Sequence, residues 1–301
     1  MTPGERVRGG GAAVATALLL SACVVSNGTT EVPEDPEVSG VSVAPIDDPV
    51  AVEVDGKRIT TRCAGDPDDP SVMLVSGLGA PMDLTWDPVQ GQIGAYAHAC
   101  AYDRLGVGAS GRPPRSHTFQ DMAAQLDLVM QALELDPPVV LVAHALGGMV
   151  AAAYAEEHTD DVAGLVLLDA AGPGYPESLL QRLPGKSGSK GGAERDLWEE
   201  LLDPSANREH LDGRSAFAEA ESFTPIGDVP LVALTHSIPE HLDSTTPEQQ
   251  ADLESAWEAG QHRWLALSSA STLERVDLAG HDIQQDAPLS VIEWVRAIVE
   301  R

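Results

Sequence analysis

An α/β fold, a mostly parallel sheet with helices on both faces, is predicted by three features of the sequence. Short apolar runs recur at 72–76, 99–103, 139–143, 164–169, 230–235 and 273–278, each the length of a buried strand. Helix-period segments lie between them: Met122, Leu126, Val129, Met130 and Leu133 fall on one face, and Thr118-Phe119-Gln120-Asp121 before them has the form of a capping box. Thr246-Pro247-Glu248-Gln249 opens another helix with a cap and an early proline. Strands that alternate with helices pair in parallel, because each crossover returns the chain to the same end of the sheet, and both sheet faces are then covered. With 301 residues, 43% of them hydrophobic, the chain is long enough to bury such a sheet.

The N-terminal stretch reads as an address. Arg6 and Arg8 precede an apolar segment at 11–20, too short to span a bilayer as a mature helix, and Leu20-Ser21-Ala22-Cys23 follows. That tetrapeptide resembles a bacterial lipobox, which implies removal of residues 1–22, lipid on Cys23 and a chain anchored on the extracytoplasmic face of the membrane. The alternative is an ordinary secretory signal cut nearby. Residues 23–49 are rich in Ser, Thr, Pro, Gly and acid and have no sustained helical period, which fits a disordered acidic tether ahead of a domain at 50–301. Outside the cytoplasm the other two cysteines, Cys63 and Cys100, are expected to form a disulfide. They are too far apart in sequence for the C-x-x-C spacing of a zinc site, so no metal is expected. Lys and Arg number 18 against 47 Asp and Glu, a formal charge of −29. Nucleic acid and anionic headgroups are therefore poor partners, and the only membrane attachment expected is through the Cys23 lipid.

The domain should open with a hairpin, since Val50, Val52 and Val54 alternate up to the turn pair Asp55-Gly56 and a second strand follows at 58–63. Between Asp169 and Pro230 lies an insert, about 172–228, too long for one crossover helix. Amphipathic fragments at 178–183 and 193–202 flank the glycine-rich 185–192, so a helical lid is expected.

Chemistry is concentrated in four segments. In chain order they are Val72-Met73-Leu74-Val75-Ser76-Gly77-Leu78-Gly79, Tyr102-Asp103-Arg104-Leu105-Gly106-Val107-Gly108-Ala109-Ser110, the run 139–148 (VVLVAHALGG) and Leu278-Ala279-Gly280-His281-Asp282. Together they closely resemble the α/β-hydrolase fold family over about residues 50–300, and in more detail the exported α/β-hydrolase lipoproteins of high-GC bacteria. That family carries its nucleophile as the middle serine of G-x-S-x-G, on a strained strand-to-helix turn. Here the turn reads Ala143-His144-Ala145-Leu146-Gly147, and the methyl of Ala145 cannot form an acyl intermediate. The resemblance places the general base at His281 and the acid at Asp169, with Glu240 or Asp243 as alternative acids one strand later. It also implies an oxyanion hole from the backbone amides of Leu78 and Leu146, which do not depend on the missing hydroxyl.

Other residues receive plainer readings. Asp103 and Arg104 are expected to form a turn-stabilising ion pair, Ser76 and Ser110 to be turn residues, and Trp86 either to line a pocket or to pack beneath it. His98, His158, His236, His241 and His262 have no metal-site spacing. Two functions follow: a non-catalytic protein that binds a small ester or other carbonyl ligand, or a slow ester hydrolase that uses water activated by His281. Neither needs a cofactor, and nothing in the sequence fixes an oligomeric state.

Overall fold

The computed structural model describes residues 42–183, 185, 193–239, 241–242 and 245–301. The leader, Cys23, most of the tether and the alternative acids Glu240 and Asp243 lie outside these residues. Eight strands form one sheet: β1 (Val50–Val54), β2 (Lys57–Ala64), β3 (Ser71–Val75), β4 (His98–Asp103), β5 (Val139–His144), β6 (Val162–Leu168), β7 (Leu231–His236) and β8 (Ser271–Val276). Their order is β1-β2-β4-β3-β5-β6-β7-β8, parallel from β4 to β8 and antiparallel where β1 and β2 join. This is the hairpin and the mostly parallel sheet that the sequence predicts.

The central strands bury side chains on both faces, which is why they read as unbroken apolar runs. Met73, Val75, Leu141 and Leu167 enter one core layer, whereas Val72, Leu74, Val142 and Leu168 enter the other. Helices α1 (Met82–Trp86) and α2 (Gln90–Ile93) follow β3, α3 (Phe119–Ala132) precedes β5, and α4 (Gly147–Glu157) follows it. Thr118 caps α3 in a reciprocal capping box with Asp121, as its sequence predicts.

The insert contains three helices, α5 (Tyr175–Arg182), α6 (Ala193–Leu201) and α7 (Gly213–Ala220). The first two match the amphipathic fragments. The third was not legible because only Ala216, Phe217 and Ala220 mark its buried stripe, alongside the helix-opening Gly213. The insert rests on α8 (Pro247–Leu265), where Leu179 and Leu183 meet Leu253. Short α9 (Ile283–Asp286) and α10 (Pro288–Val299) close the chain. Among the described residues, no helix is long and apolar enough to cross a membrane.

Cys63 and Cys100 sit directly opposite each other in the β2–β4 register and form the expected disulfide, with an S–S distance of 2.01 Å. His98 Nε2 lies 3.5 Å from Cys100 Sγ, but with both sulfurs bonded to each other neither is a thiolate ligand.

Candidate active site

The site is built around Ala145, which leaves β5 with φ 51°, in the left-handed region. A non-glycine residue held there costs about 1–3 kcal/mol, a strain found chiefly where function requires the geometry. Small neighbours permit the turn. A Cβ on Gly147 would lie 2.3 Å from the Val75 carbonyl oxygen, so α4 can start directly against β3 only with glycine at that position. Loop 76–79 faces the turn: a Cβ built on Gly77 would lie 3.2 Å from the Ala145 methyl. Among the described residues, no acceptor takes the Leu78 or Leu146 amide N–H, and both residues line the cavity beside Ala145.

His281 and Asp169 meet as the resemblance implies. His281 Nδ1 donates to Asp169 Oδ2 at 2.7 Å, while His281 and Ala145 line the same cavity. Asp169 follows β6 with φ 43°, a second strained position, and its carboxylate is 1% exposed. Burial alone would raise its carboxyl, but the hydrogen bonds from His236 and His281 outweigh burial and hold it below the usual value.

Side chains to which the sequence assigns no site role also belong to the site, from β5, β7 and α8. His236, at the end of β7, places Nδ1 2.9 and 3.0 Å from the two Asp169 oxygens and Nε2 3.2 Å from Glu254 Oε2. Trp257 stacks obliquely on His236, with ring centroids 5.4 Å apart. A signal for α8 was available: Gln250, Leu253, Glu254 and Trp257 follow i, i+3, i+4, i+7 spacing, and all four line the cavity. His144 is buried beneath Ala145. Its Nε2 donates to the His281 carbonyl at 3.1 Å, which leaves Nδ1 as a buried acceptor with no partner. Burial above all lowers His144 to about 4, so its ring is neutral at ordinary pH.

The expected Asp103–Arg104 ion pair is not what forms. Arg104 instead makes a bidentate pair with Glu209, Nε to Oε2 at 2.7 Å and Nη2 to Oε1 at 3.0 Å, and both side chains are buried. The same guanidinium donates to the Ser76 and Gly77 carbonyls, and Glu209 Oε1 accepts the Gly79 amide. Loop 76–79 is thus clamped from the insert. Asp103 instead accepts the Met82 amide at 2.8 Å. A two-toothed guanidinium–carboxylate fit needs a partner beyond the adjacent residue, which is the physical reason for the difference. Ser76 and Ser110 are structural, as expected: Ser76 Oγ accepts from the indole of Trp86, which packs under the loop, and Ser110 Oγ donates to the Asp103 carbonyl.

The cavity over Ala145 has a volume of about 410 Å³. Its walls are mainly leucine and aromatic side chains from the insert and α8. No described lining residue is Ser, Thr, Cys, Lys or Arg. The site therefore holds a paired imidazole and a largely apolar chamber, with two amide donors that no described acceptor takes; among the described lining residues the only hydroxyl is the Tyr175 phenol, and there is no serine, threonine or cysteine to attack a carbonyl.

A family model described as the alpha/beta hydrolase fold matches residues 70–193. The chain is 23% identical to the uncharacterized protein YqjL of Bacillus subtilis (strain 168) over 240 residues, covering 78% of this chain and 85% of YqjL. Its backbone is similar to that of a membrane phospholipase A described as a bacterial virulence factor, with a TM-score of 0.60 and 19% identity over 84% of this chain and 86% of that one. It is also similar to a thermophilic esterase from Thermogutta terrifontis, with a TM-score of 0.57 and 20% identity over 84% and 99% of the two chains. The chain is a protein of the α/β-hydrolase fold.

Proposed function

We propose that this protein is a catalytically impaired member of the hydrolase fold that binds a small ester or related carbonyl compound beside Ala145. The observation that carries this reading is the methyl at the strained elbow, in a chamber whose described walls offer no serine, threonine or cysteine in its place. The Leu78 and Leu146 amides form the oxyanion hole that would receive the ligand's carbonyl oxygen, and the insert acts as a lid whose apolar walls would hold the rest of the molecule. The similarity to an esterase and a phospholipase supports an ester over other carbonyl compounds.

A second reading has its own support. The His281–Asp169 bond is intact, and a receptor has no need of a paired base. Water in the space of the missing hydroxyl, activated by His281, would give slow hydrolysis. Enzymes stripped of their nucleophile retain about 10³–10⁴-fold catalysis over water. Tryptophan fluorescence tests both readings, because Trp198 and Trp257 line the chamber. A neutral activated ester should quench it saturably. Turnover near that residual level that falls to background in His281→Ala would select the slow hydrolase. Absence of both saturation and turnover would sink both readings.

The chain is further proposed to be an exported lipoprotein anchored through Cys23, or secreted if the leader is cut elsewhere. The Cys63–Cys100 disulfide supports an oxidising location. Cys23→Ser should move the protein from the membrane fraction to the soluble fraction; a variant that stays with membranes refutes the anchor.

A further inference from the structure

Asp169 serves two histidines. Its Oδ2 receives His281 Nδ1 at 2.7 Å and His236 Nδ1 at 3.0 Å, and its Oδ1 also takes the His236 ring and backbone N–H. On its far side, the His236 ring meets Glu254 Oε2 at 3.2 Å. A carboxylate only accepts, so a ring bonded to one at each nitrogen must donate twice, and only the imidazolium can do so. The indole of Trp257 beside it adds an aromatic surface favourable to a cation.

We infer that His236 is a charged positioning residue: held as an imidazolium between Asp169 and Glu254, it shares the Asp169 carboxylate with His281 and thereby keeps His281 neutral and Nδ1-protonated. The reason is electrostatic. A carboxylate that belonged to His281 alone would favour its imidazolium, whereas one already facing a cation favours it much less, and the cation itself repels a second charge. Neutral His281 keeps a lone pair on Nε2, the form needed to accept a proton from water, or from a serine at position 145.

Among the described residues, charged groups face this cluster from several elements. Asp169 comes from the end of β6. Glu254 comes from α8 and is also paired with Arg275 of β8, at 3.2 Å. Arg275 in turn holds Glu258 at 2.9 Å. His144, neutral and 4.8 Å from His281 between ring centroids, and Asp282, 3.6 Å from His144, lie on the elbow side. Burial opposes a charge on His236, but its hydrogen bonds and the charges of Asp169 and Glu254 outweigh it and raise its pKa above the ordinary histidine value.

The inference rests on the reading of His281 as the polar group that faces a bound carbonyl compound, and titration tests it without any ligand. Ring-nitrogen NMR on the full chain should find His236 doubly protonated at pH 7 and His281 singly protonated at Nδ1. In His236→Asn, which keeps a donor near Asp169, the His281 midpoint should rise by about one pH unit or more. Glu254→Gln removes one carboxylate at a partly exposed position; there the His236 midpoint should fall and that of His281 should rise. If His236→Asn does not fold, Glu254→Gln alone decides. A native His236 with a single ring proton at pH 7, or a His281 midpoint unmoved in the variants that fold, would overturn the inference. Shifted midpoints in a protein that binds no ester would instead sink the functional reading alone.

Discussion

Ala145→Ser is expected to react with a fluorophosphonate probe that leaves the native chain unlabelled, and to hydrolyse an activated ester at least about a hundredfold faster. Removing the nucleophile from a serine hydrolase costs ~10⁶ in kcat, so even a small part of that recovered is measurable. The expectation rests on parts already in place: φ 51° at position 145, His281 bonded to Asp169, and the Leu78 and Leu146 amides, which no acceptor takes among the described residues. Serine adds one oxygen at a position whose backbone is already bent for it. Because the native methyl cannot be phosphonylated, a labelled native protein would refute the assignment of Ala145. A folded Ala145→Ser that neither labels nor hydrolyses would mean that His281 does not reach the new hydroxyl.

Glu209→Ala should destabilise the domain by about 3–5 kcal/mol, the range seen when one partner of a buried ion pair is removed. The cost comes from leaving the Arg104 charge in a site where both side chains are almost fully buried, at 2% and 1% exposure. It also frees the Gly79 amide. Urea unfolding measures the loss, and a shift below about 1 kcal/mol would show that the pair is not structural. A double substitution, Arg104→Met with Glu209→Leu, should lie closer to the native stability than Glu209→Ala does, since it buries no unpaired charge. It should nevertheless weaken ester binding, because loop 76–79 loses its clamp.

What could be read from the sequence was whatever local order dictates. The central strands, the elbow at 143–147 and Asp169 are each marked by an apolar run that ends at the position in question, and His281 by the Leu278-Ala279-Gly280-His281-Asp282 segment after β8, so neighbouring residues carry the signal. Glu209, His236 and Glu254 have no such marker. Glu209 lies 105 positions from Arg104, and nothing near either residue announces the other. His236 ends a strand as plainly as Asp169 does, yet its partners come from β6 and α8, and only the sheet order brings those elements together. The misread Asp103–Arg104 pair has the same origin: adjacency in sequence suggested a contact, while packing supplied Arg104 with a better-shaped partner.

The Cys63–Cys100 bond makes residues 63–100 a closed covalent circuit that contains β3, loop 76–79 and Trp86, but not the elbow. In the unfolded chain this circuit keeps β3 and the Leu78 loop within short reach of β2 and β4, while β5 and Leu146 wander freely. The configurational freedom that the bond removes is taken from one half of the site. The two amide donors therefore have unequal foundations, Leu78 held by the connectivity of the chain and Leu146 by the packing of the sheet.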